Sequence, residues 1–220
     1  IDSWMKQYMQ VVQERFHDRL IFVGLQGSYS RNEATDSSDI DMVIILDQAT
    51  ARDLQAYDEA ISTLPYREKV CGFISGKQEL ARWEKSDLFQ FYHDTTPYYG
   101  SIDFLSPLIQ QEDIRRAIRI GACNIYHMCA HNIIHEKDLG ILASLYKSAV
   151  FVLQAVYYER TGVYIQTKKK LLPLLTPPEQ QILEASARLK EQIQHVDFDV
   201  LSEQLFVWSG QLIREYGAHS

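Results

Sequence analysis

Two carboxylates separated by one residue, Asp39 and Asp41, lie at the start of an apolar run that continues to Leu46. Side chains alternate between the two faces of a β-strand, so a strand here would direct both carboxylates to the same face. Neighbouring carboxylates repel each other unless a cation lies between them. Hard oxygen ligands of this kind suit Mg²⁺, which takes its remaining ligands from water and from substrate phosphates. The pair therefore predicts a Mg²⁺ site that works with a phosphorylated ligand.

A turn suited to phosphate binding precedes these carboxylates. Gly27 and Ser28 follow an apolar run, Leu20–Leu25, that is rich in β-forming residues. Glycine lacks a Cβ at the closest point of approach, and backbone N–H groups, a hydroxyl and the start of a short helix complete a site for a phosphate. Arg31, one turn into that helix, would add a charge-assisted contact. We therefore predict that Gly27, Ser28 and Arg31 bind phosphate.

The glycine-serine turn, its spacing to Asp39 and the Asp39-Ile40-Asp41 strand resemble the signature of the polymerase-β-like nucleotidyltransferase superfamily. The resemblance implies a Mg²⁺-dependent enzyme in which ATP donates AMP to a hydroxyl group and pyrophosphate leaves. It also implies that Asp39 and Asp41 are catalytic metal ligands. The alternative interpretation is that both carboxylates cap an exposed strand end and that the turn is an ordinary one.

A second resemblance lies in the C-terminal half of the chain. Tyr-Tyr-Glu-Arg-Thr-Gly at 157–162, followed by the lysines at 168–170, has an order similar to that of bacterial aminoglycoside adenylyltransferases of the streptomycin/spectinomycin type. In that family a helical C-terminal domain closes over the nucleotide, and a lysine after the Thr-Gly helix end contacts the ATP phosphates. Lys168 lies nearest to this position, and Lys169 is the alternative. The other interpretation of the lysine run is a solvated helix start.

The superfamily resemblance also implies a third carboxylate, which binds metal or acts as general base, on a strand predicted over 69–75. Lys69 occupies the aligned position, and Glu68 is one residue away. A shift of one residue reverses the face of a strand, so a register shift would let Glu68 serve as the base. We predict Glu68 for this role. The alternatives are a base elsewhere, at Asp94 or Asp103, and loss of transfer activity.

Hydrophobic periodicity predicts an α+β fold with two domains. Residues 1–106 are predicted to form a small mixed-sheet nucleotidyltransferase domain, and residues 107–220 an all-α helical bundle. The predicted strands cover 20–25, 39–46, 69–75, 88–93 and 98–104. The predicted helices of the bundle cover 111–134, 138–161, 167–175, 178–193 and 197–216.

Composition narrows the classes of function. The 220 residues are 46% hydrophobic and 23% charged, as in an ordinary soluble globular protein. A net charge of −7 argues against general nucleic-acid binding, which needs a basic face, and favours a small-molecule hydroxyl acceptor. Three cysteines without C-x-x-C spacing indicate reduced thiols. With no signal peptide and no apolar run judged long enough to cross a bilayer, we expect a cytoplasmic protein without membrane contact.

Two other classes of function stay open at this stage. Lys69 in place of an acid is compatible with a nucleotide-binding module that has weak or lost transferase activity. An antitoxin-like or regulatory protein would instead modify or mask a protein partner.

A row of histidines, His127, His131 and His135, recurs once per helical turn. Such a row is more typical of a polar cleft or a partly wet face than of a Zn²⁺ site, which is the alternative.

Overall fold

The computed structural model describes residues 1–36, 38–191 and 195–217. The chain divides into two compact units, Ile1–Ile109 and Gln110–Ser220. The first contains a mixed sheet with helices and the second is helical, so the predicted α+β class is confirmed. The boundary predicted between residues 106 and 107 lies within a 3-10 helix, Asp103–Leu108.

The N-terminal unit is built from four strands and five α-helices in the described part of the chain. In chain order they are α1 Asp2–Phe16, β1 Leu20–Leu25, α2 Gly27–Ser30, β2 Ile40–Leu46, α3 Ala51–Ile61, β3 Val70–Gly76, α4 Lys77–Ala81, α5 Lys85–Asp94 and β4 Thr96–Gly100. The strand order is β3-β2-β1-β4. β1 pairs antiparallel with β2 and β4, whereas β2 and β3 are parallel, so the sheet is mixed as predicted.

Alternating side chains of β2 supply a core on each face of this sheet. On one face Met42 and Ile44 pack in a cluster with residues of α1 and α3. On the other face Val43 and Ile45 pack in a cluster with residues of α4 and α5. Asp41 therefore belongs by alternation to the second face, at the end of β2 where the apolar cluster stops.

The strand predicted over 88–93 is wrong, because this segment lies within α5. Leu88, Phe91 and Tyr92 belong to one hydrophobic cluster at spacings of three and four residues, which is the period of a helix. A short apolar run fits both periods, and tertiary packing decides between them. The edge strand is Thr96–Gly100, displaced from the predicted 98–104.

The helical unit follows the predicted pattern closely. Its α-helices are α6 Gln111–His131, α7 Leu139–Thr161, α8 Lys168–Leu171, α9 Pro177–Glu191 and α10 Phe198–Gly217. A π-helical turn, Asn132–Glu136, extends α6. α7 ends at Gly162, whose φ of 70° is the left-handed conformation that glycine adopts without strain. The last predicted residues of the 178–193 helix lie outside the described residues.

One expectation about membranes needs correction. Among the described helices, α7 is long and apolar enough to cross a bilayer, by length and composition alone. Half of its most apolar stretch is buried inside the protein. Because α7 packs on α6 and α9, its composition is also that of the central helix of a bundle.

Candidate functional site

The turn after β1 lies directly against the Asp41 carboxylate. Leu25 pairs with Met42, and the next residue, Gln26, donates its backbone N–H to the Asp41 carbonyl at 2.8 Å. Gly27 then adopts a left-handed φ of 68°. A Cβ built on Gly27 would lie 1.9 Å from Asp41 Oδ2, well inside van der Waals contact. Glycine is therefore favoured here by its left-handed φ and by the close approach of this carboxylate.

Ser28 follows in the four-residue helix α2, partly exposed beside the glycine. Its carbonyl accepts the backbone N–H of Glu33 at 2.8 Å, which closes the segment behind the turn. The segment between β1 and β2 therefore has the glycine and the serine hydroxyl that the sequence predicted, in the predicted place.

Arg31 has carboxylate partners in the structure. Its Nη1 donates to Asp94 Oδ2 at 3.0 Å, and its Nε lies 3.4 Å from Glu33 Oε2. The Arg31 and Asp94 side chains are only 10% and 8% exposed. Two of the guanidinium donors are thus directed at protein carboxylates, so the predicted phosphate contact of Arg31 would have to be made alongside them.

The predicted metal ligands lie at the start of β2. Asp41 is the second residue of the strand and partly exposed, and Asp39 precedes the strand and is exposed. In the described ranges, no three or more His, Cys, Asp or Glu side chains are grouped to hold a metal. Two carboxylates beside a glycine turn are a donor set that fits Mg²⁺, which binds through one or two carboxylates plus phosphates and water.

The strand beside Asp41 carries a cysteine at the matching register. β2 and β3 pair in parallel, and Asp41 is opposite Cys71, an exposed thiol. Paired residues of neighbouring strands point to the same face, so position 71 is the one on β3 that lies beside Asp41. Position 71 was not predicted as part of the site, because its place depends on the register of β3, which a sequence pattern does not supply.

The candidates for the third acid lie around this strand. Glu68 and Lys69 belong to a 3-10 helix, Arg67–Lys69, that precedes β3, so strand alternation does not determine where the exposed Glu68 points. Lys69 Nζ donates to the Asp36 carbonyl at 2.6 Å. Asp103 is exposed and accepts from the Tyr92 hydroxyl at 3.1 Å.

Residues 5–94 match the model of a family described as a nucleotidyltransferase domain. The N-terminal unit contains a nucleotidyltransferase domain. The match includes the glycine-serine turn, Asp39, Asp41 and all of α5, and it confirms the superfamily resemblance found in the sequence.

Comparison with solved structures extends the likeness in fold to the helical unit. Spectinomycin adenyltransferase AAD(9) from Enterococcus faecialis, solved with ATP and spectinomycin, aligns over 96% of this chain and 98% of its own, with a TM-score of 0.61 and 14% identity. At this identity the likeness shows a shared fold. A nucleotidyltransferase-like protein from Exiguobacterium sibiricum 255-15 aligns over 96% of this chain and 75% of its own, with a TM-score of 0.36 and 11% identity, too low to support an argument. The search of curated proteins found no match.

Beyond the nucleotidyltransferase domain, Lys168 begins α8 and is partly exposed, with its Nζ 3.5 Å from Ser186 Oγ. The loop before it is tied to α7 by Gln154, a side chain that is 2% exposed. Gln154 Nε2 donates to the carbonyls of Ile165 and Gln166 at 3.0 and 2.8 Å. A buried amide that bonds two successive carbonyls fixes the loop that leads to Lys168.

The three histidines of the row are exposed, and the rings of His131 and His135 have centroids 4.8 Å apart. His135 lies in the π-helical turn at the end of α6.

In the N-terminal unit, another histidine, His93, has a shifted pKa. Burial lowers the pKa of His93 to about 4, because its ring packs between the rings of Phe89 and Tyr92 at centroid distances of 5.0 and 5.1 Å.

Proposed function

We propose that this protein is a Mg²⁺-dependent nucleotidyltransferase that moves AMP from ATP to a hydroxyl group of a small molecule in the cytoplasm. The observation that carries the proposal is the approach of Gly27 to the Asp41 carboxylate. A glycine with left-handed φ lets the backbone of the turn lie directly against the Asp41 carboxylate. This supports one shared site, with a cation on the carboxylate and a phosphate on the N–H groups of the turn.

In this proposal, the residues of the site divide into metal ligands and phosphate ligands. Asp39 and Asp41 would hold Mg²⁺, and the turn at Gly27 and Ser28 would bind the terminal phosphates through backbone N–H groups and a hydroxyl. The ion, when bound, neutralises charge on the reacting phosphate and on the departing pyrophosphate. Lys168 is the proposed lysine ligand of the phosphates, as the resemblance in the sequence implies.

The transfer step is an in-line displacement at the α-phosphorus of ATP. The acceptor oxygen forms a bond to phosphorus, the bond to the bridging oxygen of pyrophosphate breaks, and the acceptor proton passes to a general base. Glu68 is our candidate for the base because it is exposed and lies on the segment that leads into β3 beside Asp41. Asp94 is less suited, since its carboxylate is buried and paired with Arg31.

The acceptor is proposed to be a small hydroxylated compound, with an aminoglycoside-like molecule as the first choice. The structural neighbour from Enterococcus faecialis was solved with ATP and spectinomycin, which suggests this acceptor class for testing. The net charge of −7 supports a small molecule over nucleic acid, because phosphate-backbone binding requires a basic surface.

A second candidate function rests on the third-acid position. Cys71 faces the site beside Asp41 where a carboxylate would complete the acidic set, and Lys69 is bonded to the Asp36 carbonyl. A protein with this arrangement would bind Mg²⁺ and ATP as a regulatory or antitoxin-like module and transfer AMP weakly or not at all.

The test is a pyrophosphate-release screen of ATP, GTP, CTP and UTP with Mg²⁺ against aminoglycosides and other hydroxylated acceptors. We expect release with ATP and at least one acceptor, and none from the Asp39→Asn/Asp41→Asn variant. Tight Mg²⁺-ATP binding without release for any acceptor would favour the binding module. Absence of both binding and release would overturn the two proposals together.

A further inference from the structure

Three consecutive residues at the junction of α5 and β4, here called the 94–96 segment, hydrogen-bond to residues of the turn around Gly27. The bonds join Arg31 Nη1 to Asp94 Oδ2 at 3.0 Å, Gln26 Nε2 to Thr95 Oγ1 at 2.7 Å, and Ser30 Oγ to Thr96 Oγ1 at 2.7 Å. Residues on both sides of Gly27 and Ser28 are thus attached to one short stretch of chain.

The 94–96 segment is itself firmly held by the sheet. Thr96 pairs with Leu25, the last residue of β1, in the antiparallel β1–β4 ladder. Thr95 packs so closely on Gly24 that a Cβ there would lie 2.5 Å from Thr95 Cγ2. Because the segment is fixed to the sheet, its hydrogen bonds can hold the turn in a fixed position relative to β1.

The ion pair in this set is buried. The side chains of Arg31 and Asp94 are 10% and 8% exposed, and Glu33 adds a second carboxylate 3.4 Å from Arg31 Nε. A guanidinium between two carboxylates presents little net positive charge to a ligand. Its rigid, planar set of donors is instead well suited to fix the geometry of the backbone that carries it.

We infer that Arg31 and Asp94 act as a positioning pair that, with Thr95 and Thr96, holds the Gly27-Ser28 turn in its phosphate-binding conformation. Asp94 is then neither a base nor a metal ligand, and Arg31 acts on the phosphates through the turn. This inference rests on the proposed role of the turn in binding phosphate.

If Arg31 bound phosphate directly, Asp94→Asn would change nucleotide affinity in the opposite direction from that expected for a positioning pair. If Arg31 contacts phosphate, Asp94→Asn removes a competing negative charge and should strengthen nucleotide binding. If the pair positions the turn, Asp94→Asn loosens the turn and should weaken binding, as Arg31→Gln does. The sign of the Asp94→Asn effect therefore separates the two roles.

The experiment compares Arg31→Gln, Asp94→Asn and the double variant by calorimetry with Mg²⁺ and α,β-methylene-ATP, which cannot release pyrophosphate. We expect each single variant to weaken binding about 10-fold or more, and the double variant to be no weaker than the worse single one, because one unit is lost in all three. AMP affinity should change little.

A second measurement needs no nucleotide. Hydrogen exchange of the backbone amides over residues 27–33 should accelerate in both single variants. Asp53→Asn is the control, because Asp53 also accepts a hydrogen bond from an arginine, with Arg19 Nη1 at 2.7 Å, and lies in the same unit on α3. It should lower thermal stability without changing exchange at 27–33 or nucleotide affinity.

If the charge variants do not fold, Thr96→Val removes only the bond to Ser30 and should weaken binding in the same direction by a smaller factor. Stronger binding by Asp94→Asn, or unchanged exchange at 27–33 in both single variants, overturns the inference. A parent protein that binds no nucleotide overturns the proposed function, and the exchange measurement then decides alone whether the pair holds the turn.

Discussion

Gly27 and Asp41 are in close contact because Gly27 has no side chain. Gly27 has a left-handed φ of 68°, and a Cβ built on it would lie 1.9 Å from Asp41 Oδ2. Gly27 lies two residues after the end of β1 and Asp41 lies in β2, so the antiparallel ladder between β1 and β2 brings the turn and the carboxylate together.

Gly27→Ala should abolish binding of Mg²⁺-ATP. The added methyl group meets the Asp41 carboxylate, and an L-residue in the left-handed region costs about 1–2 kcal/mol more. Gly162→Ala is the matched control, because Gly162 has a φ of 70° and nothing within 4 Å of a built Cβ. Calorimetry should show lost binding for the first variant and parental affinity for the second, which shares only the backbone strain.

Asp39→Asn combined with Asp41→Asn should remove the Mg²⁺ dependence of ATP binding and leave the fold intact. Neither side chain is buried, so the loss of charge costs little stability, whereas Mg²⁺ loses both proposed protein ligands. The measurement is calorimetry with ATP in Mg²⁺ and in EDTA, with thermal unfolding as the control. Parental affinity in Mg²⁺ would show that the metal binds elsewhere.

Ser28→Ala should weaken ATP binding and leave AMP binding nearly unchanged. A hydrogen bond to a charged group contributes roughly 1.5–3 kcal/mol, or about 10- to 150-fold in Kd. Only ATP carries the terminal phosphates that the hydroxyl is proposed to contact. Equal losses for the two nucleotides would place Ser28 away from those phosphates.

Glu68→Gln should lower kcat by about 10²–10⁴-fold with little change in nucleotide affinity, because general-base catalysis contributes in this range. Asp103→Asn, at another exposed acid of the same unit, is the comparison. The measurement is steady-state pyrophosphate release on the acceptor that the screen identifies. An active Glu68→Gln enzyme beside an inactive Asp103→Asn enzyme would assign the base to Asp103.

His93 should make the protein less stable in mild acid. Its pKa is lowered to about 4 by burial, while an unfolded chain protonates histidine near 6.5. The unfolded state therefore binds more protons below about pH 6.5, and stability falls as the pH decreases from there toward 4. His93→Phe keeps the ring contacts with Phe89 and Tyr92 and should reduce this loss by about 1–2 kcal/mol at pH 5. Urea unfolding of both proteins at pH 7.5 and pH 5 measures the difference, and parallel losses would assign the acid sensitivity to other groups.

The local signals in the sequence were sufficient for the framework of the protein. The glycine-serine turn, the paired aspartates and the apolar runs around them predicted the ends of β1 and β2 within one residue. Helical periodicity and Gly162 predicted α7 and its end. These features depend on neighbours in the chain, where propensity, turn chemistry and side-chain period act directly.

Tertiary structure decided what depends on partners that are distant in the sequence. The run at 88–93 became a helix because its apolar side chains pack on one face of the sheet, and the start of β3 at Val70 put Cys71, rather than Lys69 or Glu68, beside Asp41. Arg31 contacts Asp94, 63 residues away in the chain, at the end of the sheet where β4 pairs with β1. Strand register and ion pairing are set by packing across the sheet, and the spacing of residues along one chain contains no direct record of either.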